Sequence, residues 1–170
     1  MPEIDTAREW FRNGIMPIVE PETEMFEYAS EKMLDDVGLK KYLLNFVNHA
    51  DFNISDVKTD LVKGPLSKRF VDMMLLDEST PANVKEQLKK DTSIDSVRTQ
   101  FVHSVRNIRG EETYTLPAGS QSAGTMRTIG IEAGIFEALN KQAFLFIDEI
   151  ESSLHPDLVE FIIVQFLSQR

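Results

Sequence analysis

Two acids in succession, Asp148 and Glu149, follow a run of four apolar residues, Phe144-Leu145-Phe146-Ile147. A continuous apolar run of that kind predicts a strand covered on both faces, as in a parallel sheet. Where such a strand serves phosphate chemistry, its terminal carboxylate holds Mg2+, usually through water. A second carboxylate beside it can point across the phosphates and orient the attacking water. Side chains alternate along a strand, so the two acids take different jobs: Asp148 the metal, Glu149 the water. Taken alone, a core strand that merely ends in a solvated acidic turn explains the same residues equally well.

A second stretch, Ser122-Ala123-Gly124-Thr125, stands before a helix. A helix N-terminus presents free N–H groups and a partial positive charge, which suits a phosphate. Ser122 offers a hydroxyl and Gly124 admits a close approach of backbone. In isolation a plain N-cap is the simpler reading. The third stretch, Glu151-Ser152-Ser153-Leu154-His155-Pro156, reads by itself as a loop before a Pro-started helix. Gly119 to Thr125 superficially copies a P-loop, but it has no Lys and follows no core-type strand, so it is rejected.

The elements that must position these residues follow from periodicity. Ile4, Ala7, Trp10 and Phe11 predict an opening helix, broken by Pro17 and Pro21. Helices are expected from about Thr23 to Asp36 and from Leu39 to about Ala50. Ile54, Val57 and Val62 predict a strand ending at Gly64-Pro65. Residues 66–77 are ambiguous. Pro81 reads as the first position of a helix to about Lys90. Val97 to Val105 and Tyr114 to Leu116 predict strands of a small antiparallel sheet. Then come a small-residue loop over 117–125, a helix to about Leu139 burying Ile129, Ala133, Phe136 and Leu139, the strand Phe144–Ile147, and a helix from Pro156 rich in Leu158, Phe161, Ile162, Val164 and Phe166. A parallel strand needs parallel neighbours, and no second strand of this apolar type is found in the sequence. The expectation is therefore one piece of a larger α/β head.

The three stretches gain meaning together. Asp148-Glu149-Ile150-Glu151-Ser152-Ser153-Leu154-His155 resembles the ABC-ATPase pattern of a Walker B acid pair followed by a D-loop, with Ser153 in place of Ala and His155 in place of Asp. Ser122-x-Gly124-Thr125 resembles the degenerate signature motif of AAA_21-like ATPases, which are related to SMC, DNA-repair and OLD-nuclease heads. Thr125-Met126-Arg127, Leu154-His155-Pro156 and the segment Asn48 to Ile54 match as well. The likeness is clearest over about residues 115–170 and looser over 40–60. It implies a partial P-loop NTPase head with a helical lobe (1–53), a strand-rich segment with inserted helices (54–116) and an ATPase-core segment (117–170). It implies ATP and Mg2+ as cofactors, with Asp148 at the metal and Glu149 and His155 in catalysis. Ser122, Gly124, Thr125, Ser152 and Ser153 would contact nucleotide. It further implies a homodimer closed around ATP and, in the whole protein, a nuclease or other effector and DNA as partners. A Lys-bearing P-loop, a Q-loop and a switch His are not found. The second reading is a non-catalytic interaction module on a degenerate ATPase fold.

Bulk properties set the outer limits. Of 170 residues, 18 are basic and 28 acidic, a net charge of −10, which opposes a chain-wide nucleic-acid footprint but leaves room for a local basic patch. The sequence has no Cys, which removes disulfides, thiolate zinc and cysteine nucleophiles at once. No apolar run reaches the roughly 20 residues of a membrane span, and the N-terminus lacks a signal-peptide pattern, so a cytoplasmic protein is expected.

Overall fold

The computed structural model describes residues 2–50, 52–108 and 110–168, without the side chains of Pro2, Phe166 and Ser168. Asp51 of the Asn48–Ile54 match and the Phe166 side chain expected on the last helix lie outside the described residues. The chain divides into two compact units, one formed by residues up to Thr59 and from Thr99 onward, the other by Asp60–Arg98.

The first unit is built around one helix. Before it come α1 (Pro2–Asn13), α2 (Met25–Asp35) and α3 (Val37–His49), the last capped by Asp36, whose carboxylate accepts from the Leu39 N–H at 2.9 Å. Strand β1 (Ile54–Pro65) leads out of this unit, β2 (Ser93–Asn107) returns to it, and β3 (Gly110–Pro117) pairs antiparallel with β2, Phe101 opposite Leu116 and Val105 opposite Glu112. The three make one sheet in the order β1-β2-β3. A short turn at Ala118–Ser120 then delivers the chain into a 19-residue helix, Ala123–Lys141.

That helix is the centre of the core. Every residue from Thr128 to Ile135 is buried, including the charged Glu132. Sequence periodicity points to a single buried face, with Leu139 on it. Instead the middle of the helix is enclosed on all sides, and Leu139 is 38% exposed. The cause is the run of small residues. A Cβ on Gly130 would lie 2.6 Å from the Met25 Cβ and 2.8 Å from the Met25 carbonyl carbon, so only glycine lets α2 approach this closely. Ala29, Met33, Leu43, Phe46, Phe101 and Ile162 complete the cluster around it.

The second unit contains α4 (Lys68–Leu76) and α5 (Ala82–Lys90), numbered in chain order so that the central helix is α6. The ambiguous residues 66–77 are mostly helical because Ser67 caps them, accepting from the Phe70 N–H at 3.2 Å. Their apolar residues gave no clear period because only Val71 is buried in α4, while Met73 and Leu76 face water. Pro81 sits one position earlier than expected, as the N-cap of α5. No described helix is long and apolar enough to cross a membrane.

The apolar run before the acids is where the structure departs most from expectation. It does find a parallel partner: Gly14 to Val19. Phe144 N–H donates to Gly14 O at 2.7 Å, and Met16 N–H to Phe144 O at 2.9 Å. Val19 N–H donates to Phe146 O at 2.9 Å, and Asp148 N–H to Val19 O at 2.9 Å. The bridges Ile15 to Phe144 and Val19 to Ile147 are offset by one residue, which places a bulge around Pro17, a residue with no N–H for the ladder. In sequence Pro17 reads only as a helix breaker, which hides the segment that bridges to the apolar run. Nor is the run covered on both faces. Leu145 and Ile147 are half-buried against the core, while Phe144 and Phe146 are 56% and 49% exposed.

Candidate functional site

The two motif stretches meet in one chain at the N-terminal end of α6. Ser122 occupies the N-cap with extended backbone, and its Oγ accepts from the Thr125 N–H at 3.0 Å. The same Oγ lies 2.8 Å from the Thr125 Oγ1. Thr125 is buried, whereas Ser122 is exposed. Ser122 therefore does what the simpler reading required of it, and it does so on an open surface.

Gly124 has a different neighbour from the one expected. A Cβ there would lie 2.8 Å from the Ser153 carbonyl oxygen, so the glycine first of all admits the chain's own 151–156 loop against the helix. Its carbonyl accepts from the Thr128 Oγ1 at 2.8 Å.

Beyond the strand, the backbone turns sharply. Glu149 has φ 45° and Ser153 φ 63°, both in the left-handed region that non-glycine residues avoid. Strict strand alternation thus ends at Asp148, and the turn, not the pleat, separates the two acids. Two backbone bonds close it: Ser152 N–H to Glu149 O at 2.8 Å and Leu154 N–H to Glu151 O at 3.0 Å. Leu154 is the buried anchor of this turn, between exposed Ser153 and exposed His155. Asp148, Glu149 and Glu151 are all exposed, and among the described residues the side chains of Asp148 and Glu149 make no hydrogen bond. His155 Nδ1 lies 3.5 Å from the Asp157 carboxylate and its carbonyl accepts from the Leu158 N–H at 2.9 Å, which opens α7 (Pro156–Ser168).

Two residues central to this geometry were not singled out by role in the sequence. Arg127 sends Nη1 to Pro21 O at 2.8 Å and Nη2 to Glu149 O at 3.1 Å. Glu132 is 1% exposed and accepts a 2.7 Å hydrogen bond from the Tyr42 hydroxyl. Burial pushes its carboxyl up to about 7, against the smaller opposing effect of that hydrogen bond. Both are charged residues inside the otherwise small or apolar stretch Thr125–Phe136, and charged residues in such a stretch need partners. That was the available signal.

No described group of three or more His, Asp or Glu side chains is placed to hold a metal by itself. Mg2+ at a nucleotide site is normally held by one or two carboxylates together with phosphates and water, so a single exposed Asp148 at a strand end fits that role.

The mixed α/β unit falls in the class of AAA-type, P-loop ATPase-like domains, on the strength of its family match. Residues 9–169 match the family described as "AAA domain, putative AbiEii toxin, Type IV TA system", and the chain belongs to that family. Such domains are nucleotide-binding and ATPase-like, and they typically bind ATP with Mg2+. No curated protein and no solved structure matches the chain.

Proposed function

We propose that this chain forms the signature-helix and acid-turn part of an ABC-type ATPase head that dimerises around ATP. The observation that carries the reading is the meeting of the two motifs, with the N-terminus of α6 packed on the turn that bears Asp148 and Glu149. In this reading Asp148 would hold Mg2+, which would supply charge neutralisation at the phosphates. Glu149 orients and activates water. Ser122, Gly124 and Thr125 present the amide end of α6 to a γ-phosphate held by the partner's P-loop, and Ser152, Ser153 and His155 sense that partner site. ATP closes the pair of heads and hydrolysis opens it. Residues 117–170 are the ATP-facing segment, residues 1–53 a helical lobe and residues 54–116 a strand-rich segment. We place the protein in the cytoplasm, in a bacterial defence or DNA-processing system with a nuclease or other effector, and with DNA as a further partner of the full-length protein. The relation to SMC and OLD-nuclease heads belongs to the same proposal.

A second reading has its own observation. Residues 1–170 contain no Gly-x4-Gly-Lys-Ser/Thr, and the look-alike at Gly119 is a short turn following the antiparallel strand β3. A non-catalytic module on this fold would show the same.

The geometry dictates how to test the trans arrangement. Gly124→Glu would disturb the chain's own Ser153, so it cannot report cleanly on a partner. Ser122→Asp keeps a good N-cap while placing a negative charge where the γ-phosphate would lie. In the full-length protein it should leave monomer stability and nucleotide binding intact and block ATP-induced dimerisation. Mixing it with a variant lacking the P-loop Lys should partly restore ATPase activity, because the two chains can build one intact composite site. Normal dimerisation of Ser122→Asp, with no recovery on mixing, would reduce Ser122–Thr125 to a helix cap and favour the second reading.

A further inference from the structure

We propose that Arg127 is a positioning residue that couples the Gly14–Pro21 segment to the acid turn by holding the backbone of Glu149. The proposal rests on the reading of Glu149 as the water-orienting residue. The guanidinium is a planar fork, and here its two tines bridge two carbonyls of different segments, Pro21 O at 2.8 Å and Glu149 O at 3.1 Å. Its Nε is buried with no partner, so the side chain is not placed to satisfy all its own donors.

Glu149 needs to be held. Its φ of 45° is a left-handed conformation that is strained for an L-residue and persists only where the surroundings fix it. Its carbonyl is gripped twice, by Arg127 and by the Ser152 N–H. The second left-handed residue, Ser153, is fixed by the same helix, its carbonyl lying against Gly124. The first turns of α6 thus hold both strained positions.

The other end of the bridge is equally specific. Pro21 lies two residues beyond Val19, which exchanges bonds with Phe146 and Asp148. The Gly14–Pro21 segment is therefore tied to the acids twice: directly through Val19, and through Arg127 to Glu149. A shift of that segment reaches the backbone of Glu149 without contacting its carboxylate. Arg127 itself touches no reacting atom.

The test uses Arg127→Lys and Arg127→Ala in the full-length protein. A Lys ammonium keeps the charge and the aliphatic stem but is a point donor and does not reproduce the fork, so it stays informative if Arg127→Ala folds poorly. Amide hydrogen exchange at Ser152 and Asp148 is read beside kcat and KM for ATP. We expect exchange at Ser152 to speed up about tenfold in both variants with global melting nearly unchanged. We expect kcat to fall by about tenfold or more with KM within about twofold of wild type. Unchanged exchange at Ser152 and Asp148 in a folded variant would overturn the proposal. So would faster exchange with full kcat, provided Glu149→Gln abolishes turnover. If Glu149→Gln itself retains turnover, the role given to Glu149 fails, and the exchange data still decide whether Arg127 holds the turn.

Discussion

From Thr128 to Ile135, α6 is enclosed on every side, yet shortly after it Phe144 and Phe146 stand 56% and 49% exposed. By composition the second stretch is the more apolar of the two, and it carries no charge, whereas the first contains Glu132. Burial here follows neighbours, not hydropathy. Gly130 and Gly134 let α2 come close, and α3 covers another side with Tyr42 set against Glu132 and Phe136. The strand has one hydrogen-bonded edge, to Gly14–Val19, while the backbone of Leu145 and Ile147 makes no hydrogen bond among the described residues. On the reading proposed here, that open edge and the Phe144–Phe146 face belong inside the complete head.

The contrast can be broken most severely at Gly130. Gly130→Ala puts a Cβ within 3 Å of three backbone-linked atoms of Met25 and Phe26, none of them the tip of a flexible side chain. We expect about 3 kcal/mol of destabilisation, beyond any gain in helix propensity, measured by urea unfolding. Gly119→Ala, with nothing within 4 Å of the added Cβ, is the matched control and should stay near wild type.

Glu132 sharpens the same comparison through pH. Its carboxyl is raised from 4.5 to about 7 by burial, so the folded state keeps a proton that the unfolded state has lost. Stability should fall as pH rises from about 4.5 to about 7 and then level off, by roughly 3 kcal/mol in total. Glu132→Gln can still accept from the Tyr42 hydroxyl and should flatten that slope, leaving the variant more stable than wild type at pH 8. Denaturant midpoints at several pH values check this. An unchanged slope in Glu132→Gln would mean that another group carries it.

The smallest effect belongs to the exposed strand. In the 170-residue chain by itself, Phe146→Ser should change stability by less than about 0.5 kcal/mol, whereas Ile129→Ala in the enclosed helix should cost about 3 kcal/mol. A large loss at Phe146 in the same unfolding assay would show that its face is covered in solution.

Much of the helical framework was legible because its signals are local. Pro81 and Ser122 announce helix starts by their chemistry, and Val97–Val105 and Tyr114–Leu116 alternate as strands do, whereas the caps at Asp36 and Ser67 show only in the structure. The acid pair and the Ser122–Thr125 stretch were legible as motifs, and the structure brings them side by side. What stayed hidden depends on distant contacts. Gly14–Val19 carries Pro17 and so does not read as a strand until Phe144–Ile147 is laid beside it. Gly124 was read as an approach for phosphate, and its first neighbour is the Ser153 carbonyl. The left-handed turn at Glu149 leaves no mark in sequence, because Glu has no preference for that conformation. Arg127 stands out in sequence as a cation early in a largely apolar helix, but its two carbonyl partners lie 106 and 22 residues away in the chain.

The most direct test of the account is steady-state ATP turnover by Glu149→Gln in the full-length protein, read beside nucleotide affinity. The change keeps the side chain's size and hydrogen bonding at an exposed position and removes only the carboxylate. The account predicts that turnover falls by about 100-fold or more while ATP affinity stays within about twofold of wild type. Turnover close to wild type would contradict it and leave Glu149 a surface acid on a left-handed turn.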